Sequence, residues 1–447
     1  MSIHNQDRLL VQIASYNTNL QGIFGLPQDL VDWLSPTLQV SNFLSREPRA
    51  PDIVAVGFQE LLPLHLGFSG LSKRVINQRD DLILSQIEAY APNKEKYTLI
   101  AKIVNVGVAL LVYGRDGGVA RKVCDVQTQW TGCGPLFMGN KGAVGVRFRV
   151  AGDDGGAGEV FTFVCAHLTA HEHKLSSRIS DYHHIVRTLL FPPLPNSDST
   201  SPTTMYSTSH LFFFGDLNFR VSLPSSHPLS GITKRADFVK ALESEADRES
   251  LKEHDQLLLE KSKGSAFVGL REGQFWKFKC TYKHQLGEVE KYSMLRTPSW
   301  TDRVLYVTHT DSPENPTESN IENLLYTSIP SYTTSDHKPI VALLSLPSVS
   351  NTSTATSPTL RLPPSYRPTP DPRANLKRYL GRTLDRVVGF TWLVLILIGA
   401  GSALLGLAAL VGGSLFYTFW RWWRVRSFVV PFDNYYARTV ESYLQGK

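Results

Sequence analysis

Short apolar runs rich in Val, Ile and Phe recur along the first 346 residues, at Leu10–Ala14, Ile53–Phe58, Val106–Val112, Val144–Phe148, Val160–Cys165, Leu211–Phe214, Val304–Val307 and Ile340–Leu346. Continuous apolar stretches of this length read as strands buried on both faces. Longer stretches of mixed polarity lie between some of them, at 71–90, 176–190 and 234–261. In the last, Phe238, Leu242, Leu251 and Leu257–Leu259 recur with helical spacing. Strands interleaved with helices predict a layered α/β (α+β) body.

Two Pro, Ser and Thr-rich stretches interrupt this pattern. Pro192–Ser209 reads as a surface loop inserted before a strand, and Pro347–Pro372 as a flexible linker that closes the body at residue 346. A basic segment follows at 373–386, then 34 residues without a charge, Val387–Trp420. As one helix these would reach ~51 Å against a hydrocarbon core of ~30 Å. Phe390 and Trp392 at one end and Phe416, Tyr417, Phe419, Trp420, Trp422 and Trp423 at the other resemble interfacial belts. With the short tail 421–447, the expectation is a single-pass tail anchor, most often placed in the endoplasmic reticulum. A re-entrant hairpin bent at Gly399–Gly401 or Gly412 and Gly413 is the alternative.

Charge changes the picture only through its location. The chain carries a net +6, and residues 371–447 hold ten Lys or Arg against four acids, which leaves 36 of each in residues 1–370. A neutral body has no footprint for a nucleic acid, whereas a basic C-terminal part suits an anionic membrane surface. Cys124, Cys133, Cys165 and Cys280 are widely spaced and read as reduced thiols. The polar start, Met1–Arg8, shows no secretory signal, which puts the body in the cytosol.

Candidate chemistry falls at strand ends. Glu60 follows Phe58-Gln59, and Tyr16-Asn17 follows the first run. The segment FFFGDLNFR brings Asp216 and Asn218 to one turn, although an Asx turn alone would also explain it. SDHKP sets Asp336 and His337 ahead of the last strand. A carboxylate, an amide and a histidine are what water attack on a phosphoryl group requires, with a Mg²⁺ ion needing few protein oxygens.

As a set, these motifs resemble the inositol polyphosphate 5-phosphatase family, within the wider fold of magnesium-dependent nucleases and phosphatases related to DNase I. The resemblance covers roughly 9–346 and rests above all on GDLNFR and on PSWTDR at Pro298–Arg303. GFQE (57–60), NKGAV (140–144), AHLTAHE (166–172), TYK (281–283) and SDHKP follow in family order. It implies a four-layer sandwich of two packed β-sheets flanked by helices.

It implies roles as well. Glu60 with Asn17 would hold Mg²⁺. Asp216, with Asn218, would orient or deprotonate the attacking water. His337, oriented by Asp302, and His167 would donate to the phosphate, with Asp336 near the metal or water. Asn140, Lys141, Tyr282, Lys283 and Arg296 would bind the substrate's phosphates. The expected substrate is a phosphoinositide lipid, phosphatidylinositol 4,5-bisphosphate, cleaved to the 4-phosphate. Met294 stands where the family usually has Lys, which removes a charge-assisted contact of roughly 1.5–3 kcal/mol if fully made. A nuclease, a sphingomyelinase-like phosphodiesterase and a non-catalytic phosphoinositide-binding module are the rival readings.

Overall fold

The computed structural model describes residues 8–22, 33–34, 49–152, 156–194, 200–347, 356–398 and 414–422. Its strands are β1 (Leu10–Asn17), β2 (Ile53–Gln59), β3 (Tyr97–Asn105), β4 (Val108–Arg115), β5 (Val123–Gly132), β6 (Gly142–Val150), β7 (Glu159–His167), β8 (His210–Asp216), β9 (Arg271–Glu272), β10 (Asp302–Thr308), β11 (Glu322–Ser328) and β12 (Ile340–Ser345). The helices that matter below are α1 (Leu64–Phe68), α2 (Ser72–Tyr90), α3 (Leu175–Thr188), α4 (Arg235–Ala241), α5 (Glu245–Leu251), α6 (Gln256–Ser262) and α7 (Ala374–Ile398).

The strands form two six-stranded sheets, ordered β11-β12-β1-β2-β4-β3 and β5-β6-β7-β8-β10-β9. Both are mixed, because β1–β2 and β7–β8 run parallel while the remaining pairs are antiparallel. Side chains alternate across each strand, which explains how the apolar runs feed three packed layers at once. Phe212 and Phe214 of β8 face the space between the sheets, with Ile13, Ile53, Leu110, Val146 and Phe163. Leu211 and Phe213 face outwards, onto Tyr182 and Ile185 of α3. On the other outer face Val54, Val56 and Phe58 pack on Val75, Ile76, Ile83 and Ile87 of α2. The result is the expected helix-sheet-sheet-helix sandwich.

The stretch 234–261, expected as one helical region, is broken into α4, α5 and α6. Ser244 and Asp255 cap the second and third by accepting from Asp247 and Leu258 amides. The presumed surface loop before β8 is buried in its second half, where Met205 and Tyr206 join the outer core. Likewise, 356–372, expected as free linker, lies along the body. Leu360 N donates to Thr208 O at 2.8 Å, and the Tyr366 hydroxyl meets that of Tyr182 at 3.1 Å. The four cysteines are free thiols.

At the far end of the second sheet from the site, Glu159 of β7 ties β8 to the residue that follows β10. Its carboxylate meets His210 Nε2 at 2.9 Å and His309 Nε2 at 3.2 Å.

Among the described residues no helix is long and apolar enough to cross a membrane. Residues 399–413, in the middle of the expected span at 387–420, lie outside those described, as does most of the tail 421–447. From Ala374 on, the basic segment 373–386 forms the first half of α7 and packs on the body, with Arg378 and Asp385 buried.

Candidate active site

The topology delivers every central side chain to one end of the sandwich. β1, β2, β7 and β8 finish there, at Asn17, Gln59, His167 and Asp216. β10 is antiparallel to β8 and starts there, with Asp302 directly opposite Asp216. The turn before β12 supplies His337. Gly215 allows this convergence: at φ +133° its position would place a Cβ 2.1 Å from Ala166 O, so no side chain fits between β7 and β8.

Asp216 is the centre. Asn17 Nδ2 donates to its Oδ2 at 3.0 Å, and His167 Nε2 stands 3.2 Å and His337 Nε2 3.8 Å from the same oxygen. The other oxygen accepts the Asn218 amide at 3.1 Å. Burial alone would raise this carboxyl, but His337, His167 and Lys141 together hold it far below the usual carboxylate range. Asn218 adopts φ +58°, which aims its side chain inward. Its Nδ2 donates to Leu168 O at 3.1 Å while its Oδ1 accepts from Arg220.

His337 is gripped from the other side. Its Nδ1 lies 2.9 Å from Asp302 Oδ2, an oxygen that also accepts from the Thr281 and Thr301 hydroxyls at 2.7 and 2.9 Å. Burial would lower the imidazole, but Asp302 and then Asp216 outweigh it and push it up to about 10. The ring is therefore an imidazolium at neutral pH, with Nε2 free to donate outward. The Tyr282 ring packs against it at 4.7 Å, and the Arg220 guanidinium lies 4.1 Å over Tyr282.

Lys141 forms the cationic edge, its Nζ against His167 Nε2, and burial lowers it from its ordinary value. Asn140 beside it has a buried Oδ1 without a hydrogen-bond partner among the described residues. Lys283 pairs with Asp336; burial opposes its charge, but Asp336 prevails and raises it. Asp336 is thus engaged by Lys283, and its charge also acts on His337. Arg296 is exposed and joins no ion pair or hydrogen bond among the described residues.

Glu60 fits a hard cation. At φ +49° just past β2, its side chain is 31% exposed, and the nitrogens His167 Nε2 and Lys141 Nζ are 3.8 and 3.9 Å away. Those distances leave its lone pairs available, and Asn17 Oδ1 accepts only the Asn19 amide at 3.1 Å. Oxygen donors of this kind suit Mg²⁺ or Ca²⁺. The cluster of Asp216, Asp302 and His337 also gathers its donor atoms within 4.8 Å. The proton bound between His337 and Asp302 makes that a poorer place for a cation than Glu60.

Sequence reasoning passed over Arg220, Thr281 and Thr301. All three stand inside quoted motifs, so the signal was present but their partners were not visible.

Known proteins resemble this chain in sequence and in fold. The family described as Endonuclease/Exonuclease/phosphatase family 2 covers residues 14–343. Synaptojanin-2 of Rattus norvegicus is 32% identical over 68% of this chain, and phosphatidylinositol polyphosphate 5-phosphatase type IV of the same species is 34% identical over 45%. The chain spans 19% and 29% of the length of these two relatives. The structure of the inositol polyphosphate 5-phosphatase domain of SPsynaptojanin, in complex with inositol (1,4)-bisphosphate and calcium ion, aligns with a TM-score of 0.56 at 22% identity. That alignment covers 86% of this chain and 91% of that one and shows a shared fold. The chain therefore belongs to the endonuclease/exonuclease/phosphatase family 2, with inositol polyphosphate 5-phosphatases as its relatives.

Proposed function

We propose that this protein is a Mg²⁺-dependent phosphoinositide 5-phosphatase that converts phosphatidylinositol 4,5-bisphosphate to phosphatidylinositol 4-phosphate at a membrane surface. The observation that carries the reading is the Asp216 carboxylate held ionised between Asn17, His167 and a His337 imidazolium fixed by Asp302.

The residues divide the work of in-line attack by water on phosphorus. Glu60 and Asn17 are the residues that would hold a Mg²⁺ ion, which would supply charge neutralisation on the scissile phosphate. His337 Nε2 and Lys141 donate to the phosphoryl oxygens as charge develops there. Asp216 orients the water. A carboxylate pulled so far down is a weak base in the free protein, but a bound phosphate draws on the same cations, and sharing them restores its basicity. His167 and Asn218 fix its two oxygens. Tyr282, Lys283, Asn140 and Arg296 form the rim that receives the ring phosphates. In the structural relative the bound inositol (1,4)-bisphosphate lacks a 5-phosphate, which is what a product of this reaction lacks.

Exposed apolar side chains beside the rim, Leu136, Met294 and Leu295, favour a lipid over a soluble inositol phosphate. Membrane attachment through 387–420, with the endoplasmic reticulum as the expected membrane and the body facing the cytosol, belongs to the same reading. Two contacts, one at each end of the stretch, support the hairpin over the single span. Arg386 at the start of the stretch donates to Phe68 O, and Arg421 at its end donates to Leu20 O at 2.7 Å.

The test is phosphate release by the full chain from short-chain phosphoinositides and soluble inositol phosphates, with Mg²⁺ or with chelator. Magnesium-dependent release from 5-phosphorylated lipids is expected. Release of a phosphodiester product, or none from any of them, would refute the proposal.

A further inference from the structure

Helix α7 lies beyond the region matched by the family, which ends at residue 343, yet it touches the loop that carries two expected phosphate-binding side chains. That loop is Gly134–Lys141. It is closed by Cys133 N donating to Lys141 O at 2.8 Å and by Gly134 N donating to Met138 O at 2.9 Å. Its tip has no sheet partner, so its position depends on what covers it.

α7 covers it closely. Both carboxylate oxygens of Asp385 accept the Gly139 amide, at 3.0 and 3.2 Å, and Asp385 is only 3% exposed. One turn earlier, a Cβ at Gly381 would fall 1.9 Å from Phe137 O, so helix backbone and loop backbone are in direct contact. Arg382 stacks 3.8 Å over Trp130 at the loop's base and donates to Asn105 Oδ1 at 3.3 Å. Gly381, Asp385 and Gly389 recur every four residues and so share one helix face. Gly389 meets the backbone at Phe68 and Ser69. Such an arrangement fixes a loop more tightly than a general apolar contact, because a buried amide otherwise lacks an acceptor.

We propose that Asp385 is a positioning residue for the Gly134–Lys141 loop, so that α7, which lies beyond the residues matched by the family, completes the phosphate-binding edge formed by Asn140 and Lys141. This rests on the functional reading above for the identity of what binds there. It also makes the segment leading to the apolar stretch part of the site.

The experiment compares the full-length protein with Asp385→Ala and Asp385→Asn. It reads KM and kcat on short-chain phosphatidylinositol 4,5-bisphosphate, and hydrogen exchange in residues 134–141. Asp385→Ala should raise KM about tenfold with kcat within about threefold, and speed exchange in the loop. Asp385→Asn keeps an acceptor oxygen and should return both close to wild type. Unchanged KM and exchange in Asp385→Ala would overturn the proposal. So would an equal fall of kcat and melting temperature in both variants, which marks a purely structural residue. Should the wild-type protein release no phosphate, the functional reading fails, and exchange alone decides: faster exchange in the Ala variant supports the positioning role, unchanged exchange overturns it.

Discussion

His337 Nδ1 sits 2.9 Å from Asp302 Oδ2, with the opposite ring nitrogen facing Asp216 at 3.8 Å. One imidazole thus bridges two buried carboxylates that stand opposite each other on β8 and β10. Its positive charge is stabilised by both.

That arrangement has a pH consequence whose sign follows from the raised folded value of about 10 against an ordinary 6.5. The stability it contributes is fully present below pH 6.5 and is lost as pH rises through about 10. Asp302→Asn removes the nearer charge. It should bring the alkaline limb of kcat/KM down by about one to two pH units and flatten the alkaline part of the stability profile. Denaturant titrations from pH 6 to 10, run beside the rate profile, check both. An alkaline limb left in place by Asp302→Asn would mean His337 is not the group it reports.

Asp216 is held down by its cationic neighbours, so its depressed value implies the opposite limb. It stays ionised well below the usual carboxylate range, and no acid limb from this group is expected above about pH 4. Asp216→Asn keeps the shape but loses the charge that organises Asn17, His167 and His337. A fall in kcat of a hundredfold or more is expected, on the scale of losing general-base or electrostatic groups. Steady-state assays with saturating Mg²⁺ measure it. Near-normal turnover would remove Asp216 from the centre of the mechanism.

Much of the site could be read from the chain because its residues sit at the ends of central strands. β1, β2, β4, β6, β7, β8, β10 and β12 coincide with the apolar runs, since strands covered on both faces must be apolar throughout. The strands without such a signal, β3, β5, β9 and β11, are the four edges of the two sheets. Their burial alternates or is partial, as in β5, so no continuous run marks them. Asp385 was hidden for a different reason. Its partner Gly139 lies 246 residues away, and a single acid among Arg378, Arg382 and Arg386 reads locally as part of a basic segment. Composition misled at 356–372 as well, where Leu360 and Tyr366 are anchors within a Pro and Ser-rich stretch.

Glu159 offers a test of stability remote from catalysis. Burial would raise its carboxyl, but His210 and His309 bring it down to about 2 from 4.5. The stabilisation is present above pH 4.5 and disappears as pH falls through about 2. Glu159→Gln should cost about 3 kcal/mol at pH 6, the scale of breaking a buried pair, and leave KM unchanged. Urea unfolding measures the first and the lipid assay the second. A loss below about 0.5 kcal/mol would show that the two histidines are held by other contacts.

Met294 concerns selectivity. It is 43% exposed beside Leu295 at 79%, so a lysine there would be well solvated. Met294→Lys should lower KM for phosphatidylinositol 4,5-bisphosphate about threefold at low salt, less than a fully made charge-assisted bond would give, and the gain should shrink at higher ionic strength. A salt-independent change would point to packing by the side chain and not to its charge.

The membrane arrangement is the most consequential prediction, because the two arginines that bracket the apolar stretch reach the same rim of the body. Leu20, which accepts from Arg421, donates its own amide to Glu60 O at 2.8 Å, and Gly22 N donates to Leu61 O at 2.9 Å. Arg386 grips Phe68 of α1, which begins three residues beyond Leu61. A helix crossing a ~30 Å hydrocarbon core once would carry Arg421 to the opposite face, out of reach of Leu20. The hairpin therefore predicts that a glycosylation acceptor placed after Lys447 stays unmodified in microsomes and that a tag there is removed by added protease. Glycosylation of that acceptor would establish a single span and break the Arg421 contact in the membrane-bound protein. With both ends on one face, the proposed hairpin would hold the active-site mouth beside Glu60 against the lipid surface, the geometry that the proposed lipid phosphatase would require.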